Sequence, residues 1–357
     1  MTPLVAISAG DPGGIGPEVV AAALADPARR ARARWLVFCP ARAFFEACAA
    51  RHSDVCILPA FPSFTLDPAP GAITLVEPPD PRPRDPFPAH DDRRSGEISF
   101  WCVQRAIDAA LLPRDHPSHA HAIVTGPISK RAWALAGHAE FPGHTELLAA
   151  RCNAPHAAMM FHAPPAPSPT PAPGTPPALP AGLNVILATV HRPLRDVPAL
   201  LTTPRLVQII RLGHDTMRRL GVDRPRVGVC GLNPHAGEEG LLGSEDRDII
   251  APAVTLARAA GIDASGPHPA DTMFAGALAF PGLAPARFDL AVAMYHDQGL
   301  IPLKTLARDR AVNFTVGLPI VRTSPDHGTA FDIAGTHAAH PGSTAAAIDL
   351  ALRLAGV

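Results

Sequence analysis

The chain has 357 residues, enough for two domains or one large α/β unit with a sizeable core. Hydrophobic residues make up 47%, yet the apolar runs are short and broken by Gly, Pro or charge, so none is long enough to span a bilayer. A formal charge of −1 with no long basic block excludes the electrostatic footprint of a nucleic-acid binder and leaves small-molecule chemistry as the expectation.

The N-terminus, MTPLVAISAGDPGG, has neither a basic leader nor a small-residue cleavage site, and a cytoplasmic location is expected. Its LVAISA run predicts a strand that turns through Gly10-Asp-Pro-Gly-Gly-Ile-Gly-Pro-Glu18 into the helix PEVVAAALAD. This glycine loop is neither GxGxxG nor a P-loop. It reads equally as a place where backbone amides approach a ligand and as a tight strand-to-helix turn with Pro17 at the first helical position. Strands ARWLVF and AITLVE follow, then the helix SGEISFWCVQRAIDAAL. His116, His119 and His121 fall in a loop and read as surface. Strand HAIVTG then runs into Pro127-Ile-Ser-Lys130.

The stretch Ala163–Gly182 is almost entirely Pro, Ala, Ser, Thr and Gly, which predicts an extended surface insertion without chemistry. Beyond it, three strands end in polar clusters. NVILATV leads to His191, RVGVCGL to Asn233-Pro-His235-Ala-Gly-Glu238, and DLAVAMY to His296-Asp297-Gln298. Helices TPRLVQIIRLGHDTMRRLG and EDRDIIAPAVTLARAAG separate them, the second opening on an acidic turn and closing on Gly. Strand AVNFTVG precedes Val321-Arg-Thr323 and Asp326-His-Gly-Thr-Ala-Phe-Asp-Ile-Ala-Gly335.

Alternating strand and helix patterns predict an α/β fold, and in such folds ligands gather beyond the carboxyl ends of strands. His191, His235 and His296 hold equivalent positions after their strands, as three imidazoles around a zinc-like ion would; packed or surface histidines are the competing reading. Adjacent side chains on an extended segment point apart, so no direct His296–Asp297 couple is expected. Asp332 suits the two hydroxyls of a ribose and would repel a 2′-phosphate, while Asp326 reads equally as the cap of an ordinary helix. The six cysteines, Cys39, Cys48, Cys56, Cys102, Cys152 and Cys230, show no CxxC pairing, which argues against a disulfide framework or a cysteine zinc site.

The segments GDPGGIGPE, VTGPISK, FPGHTELLA, GLNPHAGEEG, PADTMF, YHDQGLIPLK and VNFTVGLPIVRTSPDHGTAFDIAG occur in an order that resembles the 4-hydroxythreonine-4-phosphate dehydrogenase family of pyridoxal phosphate biosynthesis, over nearly the whole chain. GDPGGIGPE and HGTAFDIAG are also similar to elements of isocitrate and isopropylmalate dehydrogenases. The resemblance implies a two-domain fold of that kind, with the active-site cleft between domains and at the interface of a homodimer. It places a discontinuous cofactor domain at residues 1–127 plus 306–357 and a metal, substrate and dimerisation domain at 128–305.

It further implies NAD and a divalent metal (zinc, magnesium or cobalt) on His191, His235 and His296. Substrate contacts fall at His144, Thr145, Lys304, Asn313 and Arg322, and cofactor contacts at His327, Gly328 and Asp332. The implied reaction is NAD-dependent oxidation of 4-phosphooxy-L-threonine at its secondary hydroxyl, followed by decarboxylation to 3-amino-2-oxopropyl phosphate. The general base stays open, with Lys304, Asp297 and Asp271 as candidates. Relatives acting on threonate or erythronate 4-phosphate are the alternative, and a metal-dependent hydrolase or aldolase without nicotinamide is a more distant one. Two departures stand out: the Ala163–Gly182 insertion, and Gly13 where Ala is expected, a change that reads as mild.

Overall fold

The structure, a computed structural model, describes residues 2–50, 57–60, 69–165, 182–277 and 286–356. The chain forms two compact units, Met1–Ala157 with Leu318–Val357, and Ala158–Gly317. Both boundaries lie later in the chain than the expected 127 and 306. The reason is packing: helix Lys130–Ala136 lies against helix Arg93–Leu111 of the first unit, and the strand Val312–Val316 pairs inside the second.

The strands, in chain order, are β1 (Leu4–Ser8), β2 (Arg34–Phe38), β3 (Ile57–Ala60), β4 (Ile73–Val76), β5 (Ala122–Thr125), β6 (Ala158–Ala163), β7 (Leu183–Leu187), β8 (Val227–Cys230), β9 (Ala264–His268), β10 (Leu290–Ala293), β11 (Val312–Val316) and β12 (Arg322–Pro325). In the first unit the order is β3-β4-β2-β1-β5-β12, parallel throughout. A parallel sheet is covered on both faces, so its strands need continuous apolar runs, and β1, β4, β5 and β12 are buried along their whole length. The covering helix Arg93–Leu111 approaches helix Lys130–Ala136 closely at Gly96, where a Cβ would stand 2.1 Å from the Ala132 carbonyl oxygen. Phe100 meets Trp133 edge-on at 5.0 Å, and Trp133 Nε1 donates to Ser99 Oγ at 3.0 Å.

In the second unit the order is β11-β6-β7-β10-β8-β9, with β11, β6 and β7 antiparallel neighbours and the rest parallel. Residues 166–181 of the proline-rich segment lie outside the described residues, but Ala163 and Leu183 on its flanks face each other across the β6–β7 pair. Strands β3 and β9 were absent from the expected set because each carries a proline; both are end strands, where a missing N–H donor is tolerated. No helix begins at Asp326. Residues 327–341 form turns and irregular backbone, and the last helix is Gly342–Leu354. Gly13 is not a mild change either: a Cβ there would meet the Pro88 carbonyl oxygen at 2.2 Å, a backbone atom with little room to yield. Among the described residues no helix is long and apolar enough to cross a membrane.

Candidate active site

In the second unit the neighbouring parallel strands β7, β10 and β8 deliver the three expected histidines from one end. Side chains tie these ends together. Thr189 Oγ1 donates to the Met294 carbonyl at 2.8 Å, and Gln298 accepts from Met294 N at 2.7 Å while donating to the Gly231 carbonyl at 2.8 Å. The rings of His191 and His296 stand 5.4 Å apart. His296 and Asp297 do form a direct couple, Nδ1 to Oδ1 at 2.7 Å, contrary to expectation. His296 opens the helix His296–Ala307, so the two residues do not lie on extended backbone.

His235 reaches its place through a turn of unusual backbone. Residues 235–239 all have positive φ, between 42° and 79°, although only Gly237 is a glycine. Left-handed conformation costs an L-residue roughly 1–2 kcal/mol, so such a run persists only where neighbours fix it. Asp246, 2% exposed, anchors the chain just ahead of the run, its carboxylate accepting from Leu232 N at 2.8 Å, Asn233 N at 3.1 Å and Asn233 Nδ2 at 2.9 Å. His235 Nδ1 in turn meets Glu238 Oε1 at 2.6 Å, a hydrogen bond that raises the imidazole pKa.

With Nδ1 of His235 and His296 each held by a carboxylate, Nε2 is the nitrogen each presents, as ligating histidines do. That donor chemistry fits a divalent ion. The three imidazoles are not gathered around one point, however: among the described residues no group of three His, Cys, Asp or Glu side chains is close enough to hold a metal. Asp271 is exposed in the first turn of helix Ala270–Gly276 and acts electrostatically on His235. Lys304 is exposed near the end of helix His296–Ala307, and Asn313 is half-buried in β11 opposite Phe161.

In the first unit Arg322 lies on β12, 3% exposed, with Nε and Nη2 donating to Thr125 Oγ1 of β5 at 3.1 and 2.8 Å. Burial pulls its guanidinium pKa down to about 9. His144 opens helix His144–Arg151 with Thr145 next to it, and its ring packs edge-on against Trp133 at 5.6 Å. The His144 ring nitrogen Nε2 is buried without a hydrogen-bond partner. Burial, reinforced by the charges of Arg322 and Lys130, drives the His144 pKa well below its ordinary value. Arg322 and Lys130 thus place positive charge beside a neutral His144 ring, a setting suited to an anionic group.

The first unit also holds a cavity of about 220 Å³, walled by Pro12, Gly13, Gly14 and Glu18 of the glycine loop and by Gly335 and His337 of the later turn, among others. Glu18, 5% exposed, joins these walls by accepting from Gly335 N at 2.5 Å and His337 N at 3.0 Å. None of His327, Gly328 and Asp332 lines this cavity. His327 is half-buried, its Nε2 buried without a partner and its pKa lowered by burial; Gly328 and Asp332 are exposed. Glu18 and Asp246 escaped the sequence reading. Each sat in view as an acidic residue in the first turn of an expected helix, but which amide it would accept from is a tertiary matter.

The family model described as pyridoxal phosphate biosynthetic protein PdxA matches residues 67–351. A protein of Trichlorobacter lovleyi named 4-hydroxythreonine-4-phosphate dehydrogenase is 40% identical, over 99% of this chain and 98% of that one. D-threonate 4-phosphate dehydrogenase of Salmonella typhimurium is 38% identical, over 99% of each. The crystal structure of 4-hydroxythreonine-4-phosphate dehydrogenase from Klebsiella pneumoniae superposes with a TM-score of 0.78 at 38% identity, covering 99% of this chain and 98% of that one.

Proposed function

Because the chain belongs to the family of the pyridoxal phosphate biosynthetic protein PdxA, we propose that it is a cytoplasmic, NAD- and divalent-metal-dependent dehydrogenase acting on 4-phosphooxy-L-threonine. The secondary hydroxyl is oxidised, the carboxylate leaves as CO₂, and 3-amino-2-oxopropyl phosphate and NADH are the products. The observation that carries this reading is the buried Arg322 beside His144 and Lys130, a cluster matched to a phosphorylated acid.

Arg322, His144, Thr145, Lys304 and Asn313 are the substrate-binding residues of this reading. His191, His235 and His296 would hold the ion (zinc, magnesium or cobalt), which would supply Lewis-acid polarisation of the hydroxyl. Asp297 and Glu238 orient two of these imidazoles. Asp297, already committed to His296, is thereby a weaker candidate for the hydroxyl proton than Lys304 or Asp271. His327, Gly328 and Asp332 contact NAD, the Asp332 carboxylate accepting from ribose hydroxyls, and the cavity beside the glycine loop takes part of the nucleotide. The protein acts as a homodimer.

A second reading is oxidation of D-threonate 4-phosphate, favoured by the near-equal identity of the Salmonella typhimurium relative. The test is a panel of 4-phosphooxy-L-threonine, D-threonate 4-phosphate and D-erythronate 4-phosphate, with NAD and each metal, followed by NADH absorbance. Turnover of the amino acid and not of the sugar acids is expected; the reverse preference transfers the assignment, and no NADH from any of them overturns both readings. Light scattering on the purified chain checks the dimer, and a monomer at assay concentration refutes it.

A further inference from the structure

One wall of the cavity is made by Pro86, Phe87 and Ala89, from an irregular, proline-rich segment. Irregular backbone needs outside support to keep a shape. Here one side chain supplies most of it. Arg94, in the first turn of helix Arg93–Leu111, grips Asp80 with both arms, Nε to Oδ1 at 2.9 Å and Nη2 to Oδ2 at 2.7 Å. The same guanidinium donates to the carbonyls of Arg82 at 2.5 Å, Asp85 at 3.0 Å and Pro86 at 3.2 Å, and lies 4.1 Å from the centre of the Phe87 ring. The pair is withdrawn from water, with side chains 6% and 5% exposed. Arg42, on the helix Ala41–Ala50 that forms the facing wall, donates to the Arg84 carbonyl.

The segment is pressed against the glycine loop. Gly13 approaches the Pro88 carbonyl so closely that no Cβ fits. Gly13 and the latched segment are therefore matched to each other.

We propose that Arg94 and Asp80 are positioning residues for the nucleotide: the pair holds the 86–89 wall at a fixed distance from the glycine loop and so sets the fit of the cofactor, touching neither the substrate nor the reacting atoms. This rests on the reading that the cavity takes part of NAD. Lysine keeps the charge of Arg94 but, with a single ammonium, does not span Asp80 and three carbonyls. Without the latch the wall is ordered only when the nucleotide binds, and the ordering cost is subtracted from affinity.

The test compares Arg94→Lys, Asp80→Asn, Gly13→Ala and Ala43→Phe with the wild-type enzyme by calorimetric Kd for NAD, steady-state kinetics and limited trypsin digestion. The latch variants are expected to bind NAD about tenfold more weakly, a loss of about 1.4 kcal/mol. Their kcat at saturating NAD and KM for the phosphorylated substrate stay unchanged, and the Arg84–Asp85 bond opens to trypsin and closes again with NAD. Gly13→Ala moves the wall from the other side and is expected to weaken NAD while Arg94 and Asp80 remain. Wild-type Kd in folded latch variants, or equal losses in kcat and both KM values, overturns the proposal. Should the latch variants not fold, Gly13→Ala decides, and an unchanged Kd there overturns it. Ala43→Phe plugs the cavity from the facing helix. Unchanged affinity in that variant removes the nucleotide from the cavity, whereas weak binding there with normal binding in the latch variants keeps the cavity reading and discards the latch.

Discussion

Replacing Asp11 by Asn is expected to stabilise the protein at neutral pH and to destabilise it slightly, by about 1 kcal/mol, in acid. Asp11 is 0% exposed in the glycine loop. Its Oδ1 accepts from Gly13 N at 2.9 Å, but Oδ2 is buried without a partner. Burial outweighs the bond from Gly13 and lifts the carboxyl from 3.8 to about 6, with Asp91 and Asp92 adding like charge. The native state therefore keeps a proton that the unfolded chain loses once the pH passes 3.8. Stability falls as pH rises from 3.8 to about 6, and the loss then stays constant. At about 1.4 kcal/mol per pH unit, ionised Asp11 costs about 3 kcal/mol at neutral pH. The amide of Asn keeps the acceptor for Gly13 but buries a donor where Oδ2 was, which costs about 1 kcal/mol. A net gain of about 2 kcal/mol remains, or about 4–8 °C in Tm for a unit of this size. Thermal melts at about pH 4 and about pH 7.5 check it. A gain equal at both pH values, or a loss at the higher one, refutes the assignment of a strained buried carboxyl.

Arg322→Lys keeps a charge but gives up the fork on Thr125, and KM for the phosphorylated substrate is expected to rise about 10- to 100-fold, the range for a hydrogen bond to a charged group; an unchanged KM removes Arg322 from the substrate. Asp297→Asn takes the negative charge away from His296 Nδ1 and is expected to weaken metal affinity about 10- to 100-fold, read by titrating activity back after chelation, with kcat at saturating metal preserved. Wild-type affinity in that variant ends the orienting role of Asp297. Burial lowers the pKa of His121, His144, His268 and His327, so the unfolded chain takes up protons that the native state refuses as pH drops below about 6.5. Stability should fall from about pH 7 to about pH 5, and most cleanly in Asp11→Asn, where the opposing trend of Asp11 is gone; a flat or rising profile there contradicts the burial of these rings.

Strand β1 and its partners were legible because a parallel sheet demands uninterrupted apolar runs, and LVAISA, ARWLVF and HAIVTG are such runs. The prolines of β3 and β9 hid strands that only the edge of a sheet can hold, and RTSP of β12 is polar to the eye yet wholly buried. The three histidine positions followed from strand ends, a feature of chain order. Their mutual distances did not, because these depend on Thr189 and Gln298 bonding between strand ends and on Asp246 holding the loop after β8. The His296–Asp297 couple was misread for a local reason, a helix start taken for extended backbone. Gly13 looked interchangeable with Ala because its constraint comes from Pro88, far away in sequence.

The pairing of β12 with β5, Arg322 opposite Ile123, imposes an order on biogenesis. The second unit is one continuous stretch and has all its strands once residue 317 has been made, whereas the first waits for the last forty residues of the chain. At typical elongation rates, that leaves its early strands without their final partner for roughly 10–40 s on the ribosome. The strand that ends the wait is the one carrying Arg322, so a prematurely terminated polypeptide would hold a nearly whole sheet that lacks its buried guanidinium.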